Sequence, residues 1–213
     1  AGILFAIEVF GLDLTLSSLL PLFVASLSGV LTSYIFFGNA ALLPIYVGDS
    51  FLMRNIPFYL LLGVVGGFMS AYFTFVYEGV NRFFSKFSSA YLRIVIGGAI
   101  LGLLVFVMPP LYGEGHEVIN HLKAGHPELS ISSNIFGWNL ENPWVVILLL
   151  GGLVLFKVVA TSVTFGAGGV GGIFSPMLFM GGVMGNCFAR IINQIDILPY
   201  KPPLANFTLI GMT

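Results

Sequence analysis

Apolar residues along this chain fall in long unbroken runs. There is neither strict alternation nor a single apolar stripe. The runs cover residues 1–10, 16–37, 57–79, 91–108, 143–163, 172–194 and 204–213. The five inner runs are each 18 to 23 residues long. A helix rising 1.5 Å per residue needs about 20 apolar residues to cross roughly 30 Å of hydrocarbon. The pattern therefore predicts an all-α, polytopic transmembrane helical bundle. "AGILFAIEVF" opens inside an apolar run and "LANFTLIGMT" stops partway through one. Residues 1–213 are thus expected to be a fragment of a single transmembrane domain, truncated at both ends.

The breaks between runs carry turn and charge signals, as in "GNAALLPIYVGDSFLMRNIP" and "EGVNRFFSKFSSAY". The stretch from Pro109 to Pro143 is long and polar, and within it "HEVINHLKAG" predicts a short helix ended by Gly125. Arg82, Lys86 and Arg93 cluster around one break, whereas Arg54 and Lys123 stand nearly alone. The positive-inside rule then puts the 79–93 loop in the cytoplasm and the 38–56 loop outside.

Composition strengthens the membrane reading. Of 213 residues, 57% are hydrophobic and only 8% are charged, against about 25% charged in an average soluble domain. Mean hydropathy is +1.00. The protein is expected to be an integral, multi-pass protein of a plasma or inner membrane. A net charge of −1 gives no electrostatic footprint for nucleic acid. The single cysteine, Cys187, excludes an internal disulfide or a thiolate metal cluster and reads as a small apolar residue inside a helix. No nucleophile–base pairing stands out, so neither an enzyme nor a cofactor or metal is expected.

The chemistry concentrates in "TFGAGGVGGIFSPM", Thr164–Met177. It contains a literal G-x-G-x-x-G at Gly166–Gly171, but a dinucleotide site needs a short strand before the glycines and an acidic residue about 20 positions on. Here a helix-length apolar run precedes them, and the next acid, Asp196, lies beyond another run of membrane length. The spacing is incidental. A tight packing turn is one reading of the glycines. Ser175–Pro176 adds another, because it looks like an N-cap and first-turn pair opening a new helix. A helix start buried in a membrane needs partners for its first N–H groups, and an anion suits their partial positive charge. Broken helices aimed at anions recur in transporters. No Lys or Arg lies between Lys157 and Arg190, so binding would rest on backbone donors and be weak enough for release.

At these residues the sequence resembles the CLC family of chloride channels and chloride/proton antiporters. Gly172-Ile173-Phe174-Ser175-Pro176 matches the family's G-x-F-x-P signature. "AGILFAIEV" at 1–9, "YGEGHEVI" at 112–119 and "KVVATSVTFGAGG" at 157–169 follow in the family's order. The resemblance implies an inverted-repeat fold with re-entrant helices, a homodimer in the bilayer, and transport of chloride or a similar small anion. It implies that the amides of Ile173 and Phe174 contact that anion, and it places the gating-glutamate loop and a late tyrosine outside this chain. Family antiporters usually carry an inner proton-handling glutamate at the position of Val9, and channel members commonly carry valine. Val9, beside Glu8 at the inner vestibule, therefore implies a voltage-gated-type channel, with a proton-coupled chloride (or fluoride) antiporter as the alternative. A structural membrane subunit is the reading from a different class.

Other residues carry open readings. Glu8 is a functional lead or a helix-end hydrogen-bonder. Lys157 either snorkels to the interface or raises the local anion concentration. His116, His121 and His126, with Glu114 and Glu117, read as an ordinary polar loop, because their five-residue spacing does not suit a helical metal site. Trp138 and Trp144 look like interface anchors. Small residues at 63–67, 97–102 and 181–185 permit close helix packing in lipid. The 16–37 helix is rich in Ser, Ala and Gly; it packs within one subunit or forms the dimer interface that the resemblance implies.

Overall fold

A computed structural model describes residues 16–38, 53–125, 140, 142–195 and 200–213. The described residues form helices and turns, with no strand among them. The chain divides into two units, Ala1–Pro44 and Ile45–Thr213. In the first, the described residues form a helix, α1 (Leu16–Phe37), that ends at Gly38. Gly38 takes φ +61, and its N–H donates to the Tyr34 carbonyl at 2.9 Å, the left-handed stop that glycine permits.

The second unit opens with a 3-10 turn, Met53–Asn55, leading into α2 (Ile56–Phe84). A short turn then leads to α3 (Ala90–Val107). After a second 3-10 turn, Pro109–Leu111, come α4 (His116–Lys123), α5 (Pro143–Gly166), α6 (Phe174–Ile195) and α7 (Leu204–Gly211). Among the described residues, four helical stretches are long and apolar enough to span a membrane: Leu19–Phe36, Met53–Phe84, Ala90–Val107 and Pro143–Gly166. α6 has the length, 22 residues, but Asn186, Arg190, Asn193 and Gln194 interrupt its apolar character.

α5 is the centre of this unit. Within the spanning stretches, 56% of its residues are buried, against 6% for α2 and for α3, and it packs against α2, α3 and α6. Its start is fixed locally: the Asn142 side chain accepts from the Trp144 N–H at 3.0 Å, and Pro143 occupies the first turn, where a missing N–H costs nothing. Its far end is fixed by contact. A Cβ on Gly166 would sit 2.7 Å from the Phe84 ring, and one on Gly97 would overlap Ala167. Glycine therefore lets α2 and α3 close on the point where α5 ends.

α2 runs beyond the expected 57–79 stretch because the helix outlasts its apolar run. Glu78 and Arg82 pair one turn apart at 3.5 Å, and Phe83, Phe84 and Phe87 cluster with ring centroids 5.3 to 6.5 Å apart. α6 and α7 make the closest crossing. Cβ atoms on Gly181 and Gly185 would collide with the Gly211 and Phe207 carbonyl oxygens, so the two backbones touch, as small-residue faces allow. The short helix expected around 116–123 forms, ended by Gly125 at φ +82.

Candidate anion-binding site

The site grows from the way α5 stops and α6 starts. Gly168 takes φ +99, turning the chain out of α5. The N–H groups of Ala167, Gly168 and Gly169 donate to Val163, Phe165 and Thr164 at 2.9, 3.0 and 2.8 Å, satisfying the last carbonyls of the helix. The chain then crosses Val170–Gly172 without regular structure. The Met177 N–H donates to the Ile173 carbonyl at 3.0 Å and is the first full helical bond of α6.

The helix starts at Phe174, as expected of a 174–194 helix, but that bond corrects the expected cap. Ile173, not Ser175, occupies the cap position, while Ser175 and Pro176 lie within the first turn. Proline is tolerated there because first-turn amides have no intrahelical acceptor. The Ser175 Oγ is buried and meets no hydrogen-bond partner among the described residues. Ile173 and Phe174 keep 42% and 51% of their surface exposed.

A cavity of about 500 Å³ borders this start. Gly171, Gly172 and Pro176 line it from the loop, and Lys157, Thr161 and Thr164 from α5. Leu101 and Val105 of α3, with Tyr112 and Gly113, close the other wall. Gly171 and Gly172 bring backbone without a side chain to this wall of the cavity.

Among the described residues, Lys157 is the one charged side chain lining this cavity, and it does not snorkel. It is 4% exposed. Its Nζ donates to the Leu111 carbonyl at 2.9 Å and to the Gly113 carbonyl at 2.6 Å. The ammonium also lies 5.0 Å from the Phe179 ring centroid. The expected path to the interface is overturned because the 3-10 turn after α3 leaves carbonyls unpaired beside α5, and a buried cation needs such partners.

Elsewhere the expected residues are placed as follows. Glu8 and Val9 lie outside the described residues, as do His126 and Trp138. Trp144 is half-exposed at the start of α5. His116 and His121 are on α4, and no group of three or more metal-ligating side chains comes together among the described residues. The polar loop expected there is instead amphipathic, burying Val118, Ile119 and Leu122 against α6 and α7. Cys187, half-buried, is a free thiol contacting the Ile147 carbonyl at 3.6 Å.

Sequence reasoning passed over Asn186. It is fully buried and donates to the Leu122 carbonyl at 3.3 Å and to Thr208 Oγ1 at 2.9 Å. Its Oδ1 accepts from Arg190 Nε at 2.8 Å. It ties α4, α6 and α7 together. The signal was present as an amide within an apolar run, where polar side chains rarely lie idle.

These features define a class: an all-α, multi-pass integral membrane protein in which two apolar helices meet at a chargeless glycine loop. A family profile described as "Voltage gated chloride channel" matches residues 1–213, and the chain belongs to that family, the CLC chloride channels and transporters. It is 26% identical over 193 residues to the voltage-gated ClC-type chloride channel ClcB of Citrobacter koseri, covering 90% of this chain and 42% of that protein. ClcB of Salmonella typhimurium gives the same identity and coverage. A putative chloride channel protein ClcB-like of Ralstonia nicotianae is 27% identical over 217 residues, covering 100% of this chain and 45% of that protein. The chain thus spans less than half the length of these relatives.

Proposed function

We propose that the protein carrying this chain conducts chloride, or a similar small anion, passively across its membrane as a CLC-type channel. In this reading the ion sits against the amides of Ile173 and Phe174, with Gly172 opening the approach and Ser175 and Pro176 shaping the first turn. The observation that carries it is the start of α6. A glycine loop with no charge of its own ends on a helix N-terminus beside a cavity, and backbone donors there favour an anion without trapping it. The channel reading over the antiporter rests on Val9, where a side chain able to hand on a proton is replaced by an aliphatic one. The single transmembrane domain and a homodimer through α1 belong to the same proposal.

Chloride efflux from proteoliposomes, with internal pH followed in the same vesicles, tests this reading. A passive channel gives efflux with no opposed proton movement. Proton uptake or release in fixed ratio to chloride would overturn the channel assignment, and absence of efflux beside an active control would overturn anion transport itself.

A further inference from the structure

The turn between α3 and α4 brings an ionisable pair to the corner of the cavity that Lys157 occupies. Gly113 and Gly115 take φ +66 and +78, and both are held. The Gly113 carbonyl accepts from Lys157 Nζ at 2.6 Å. A Cβ on Gly115 would run into the Phe179 ring, so that backbone lies directly on α6. Glu114, between two anchored glycines, projects outward with its side chain 66% exposed. Its Oε2 lies 2.7 Å from His116 Nε2. The other ring nitrogen, Nδ1, is buried without a hydrogen-bond partner among the described residues, which leaves Glu114 as the ring's polar contact.

The neighbouring charges set what this pair can do. From α5 comes the Lys157 ammonium, close enough to feel the Glu114 carboxylate. From α6 the residue against the turn is the uncharged Phe179. The α6 cation, Arg190, bonds Asn186 beside Leu122, at the opposite end of α4. α7 has no titratable side chain. α4 and its lead-in add Tyr112 and Glu117, with His121 and Lys123 in the last turn of α4. Counting Lys157, Glu114 and Glu117, the corner carries one net negative charge with neutral His116 and none with charged His116, so protonation adds one positive charge there. Histidine is the side chain whose charge changes near neutral pH.

We propose that the Glu114–His116 pair is a pH-sensitive charge at the outer rim of the cavity, which draws more anion to the start of α6 when the adjoining compartment is acidified. The compartment is the one opposite the Arg82–Arg93 turn, because α3 spans between them. The inference rests on anion transport by this protein, as proposed above. One unit of charge roughly 10 Å from an ion in a wet vestibule changes the local anion concentration about twofold at low ionic strength, and less as salt screens it.

The test is chloride current through the full protein in planar bilayers, with pH lowered from 7.5 to 5.5 on each side in turn. On the sensitive side, the current ratio between the two pH values should be about twofold smaller in His116→Asn than in the wild type. Glu114→Gln should raise the current at pH 7.5 while keeping a response to acid, and both effects should shrink in high salt. Both side chains reach the surface, and size-exclusion profiles should match the wild type. An unchanged pH ratio in His116→Asn would overturn the inference while leaving anion transport intact. Absence of chloride current in the wild type would instead overturn the function on which it rests.

Discussion

Gly185→Ala should weaken the protein more than the addition of one methyl group suggests. The new Cβ would collide with the Phe207 carbonyl oxygen, and it would lie 2.9 Å from the Phe207 carbonyl carbon and 3.3 Å from Gly211 Cα. All three are backbone atoms, so no side chain can rotate away, and α7 must move by about an ångström to reach ordinary contact distance. Its surroundings resist that shift. Phe207 is fully buried with Leu62 and Ala189, and Thr208 is bonded to Asn186 at 2.9 Å. Overpacking typically costs about 1–3 kcal/mol, and rigid backbone contact places this case at the upper end. Gly152→Ala on α5 is the matched control, since nothing lies within 4 Å of its Cβ and alanine favours a helix by up to about 1 kcal/mol. Thermal unfolding in detergent, read by intrinsic fluorescence, should show Gly185→Ala lowered by several degrees and Gly152→Ala unchanged or raised. Equal stability of the two variants would refute the close α6–α7 crossing.

Lys157→Met removes the donor to two carbonyls, Leu111 and Gly113. Stranded buried acceptors cost about 1–3 kcal/mol each, partly offset because a buried ammonium is no longer needed. The same unfolding assay should show a loss of stability, and a variant as stable as the wild type would contradict the two-carbonyl anchor. Phe174→Ala and Pro176→Gly, at the first turn of α6, should alter the chloride-to-nitrate permeability ratio while preserving assembly on size-exclusion chromatography. Loss of assembly with unaltered selectivity would favour a purely structural role for this turn.

What the sequence made legible follows from the kind of signal each feature carries. The membrane helices were readable because burial in lipid demands a long apolar run, and α3 and α5 fall within a few residues of theirs. The end of α2 was not, since its last turn is held by Glu78–Arg82 pairing and by aromatic packing that an apolar run does not mark. The cap of α6 differs from expectation, Ile173 in place of Ser175, because serine before proline has the composition of a cap, whereas the position of the first hydrogen bond depends on the backbone. Lys157 departs from its expected path for a different reason. A lysine in an apolar run can reach the interface or find internal acceptors, and those acceptors sit 44 and 46 residues away in sequence. The glycines at 181 and 185 announced close packing, but only the fold identifies Gly211 and Phe207 as what they meet.

The central claim is that the start of α6 holds an anion through its backbone. Crystals of the full protein soaked in bromide, measured for anomalous scattering, test it most directly. The account predicts a bromide peak within hydrogen-bond distance of the Ile173 and Phe174 amide nitrogens, displaced by added chloride. Bromide peaks confined to other parts of the protein, with none beside Gly172–Phe174, would contradict it.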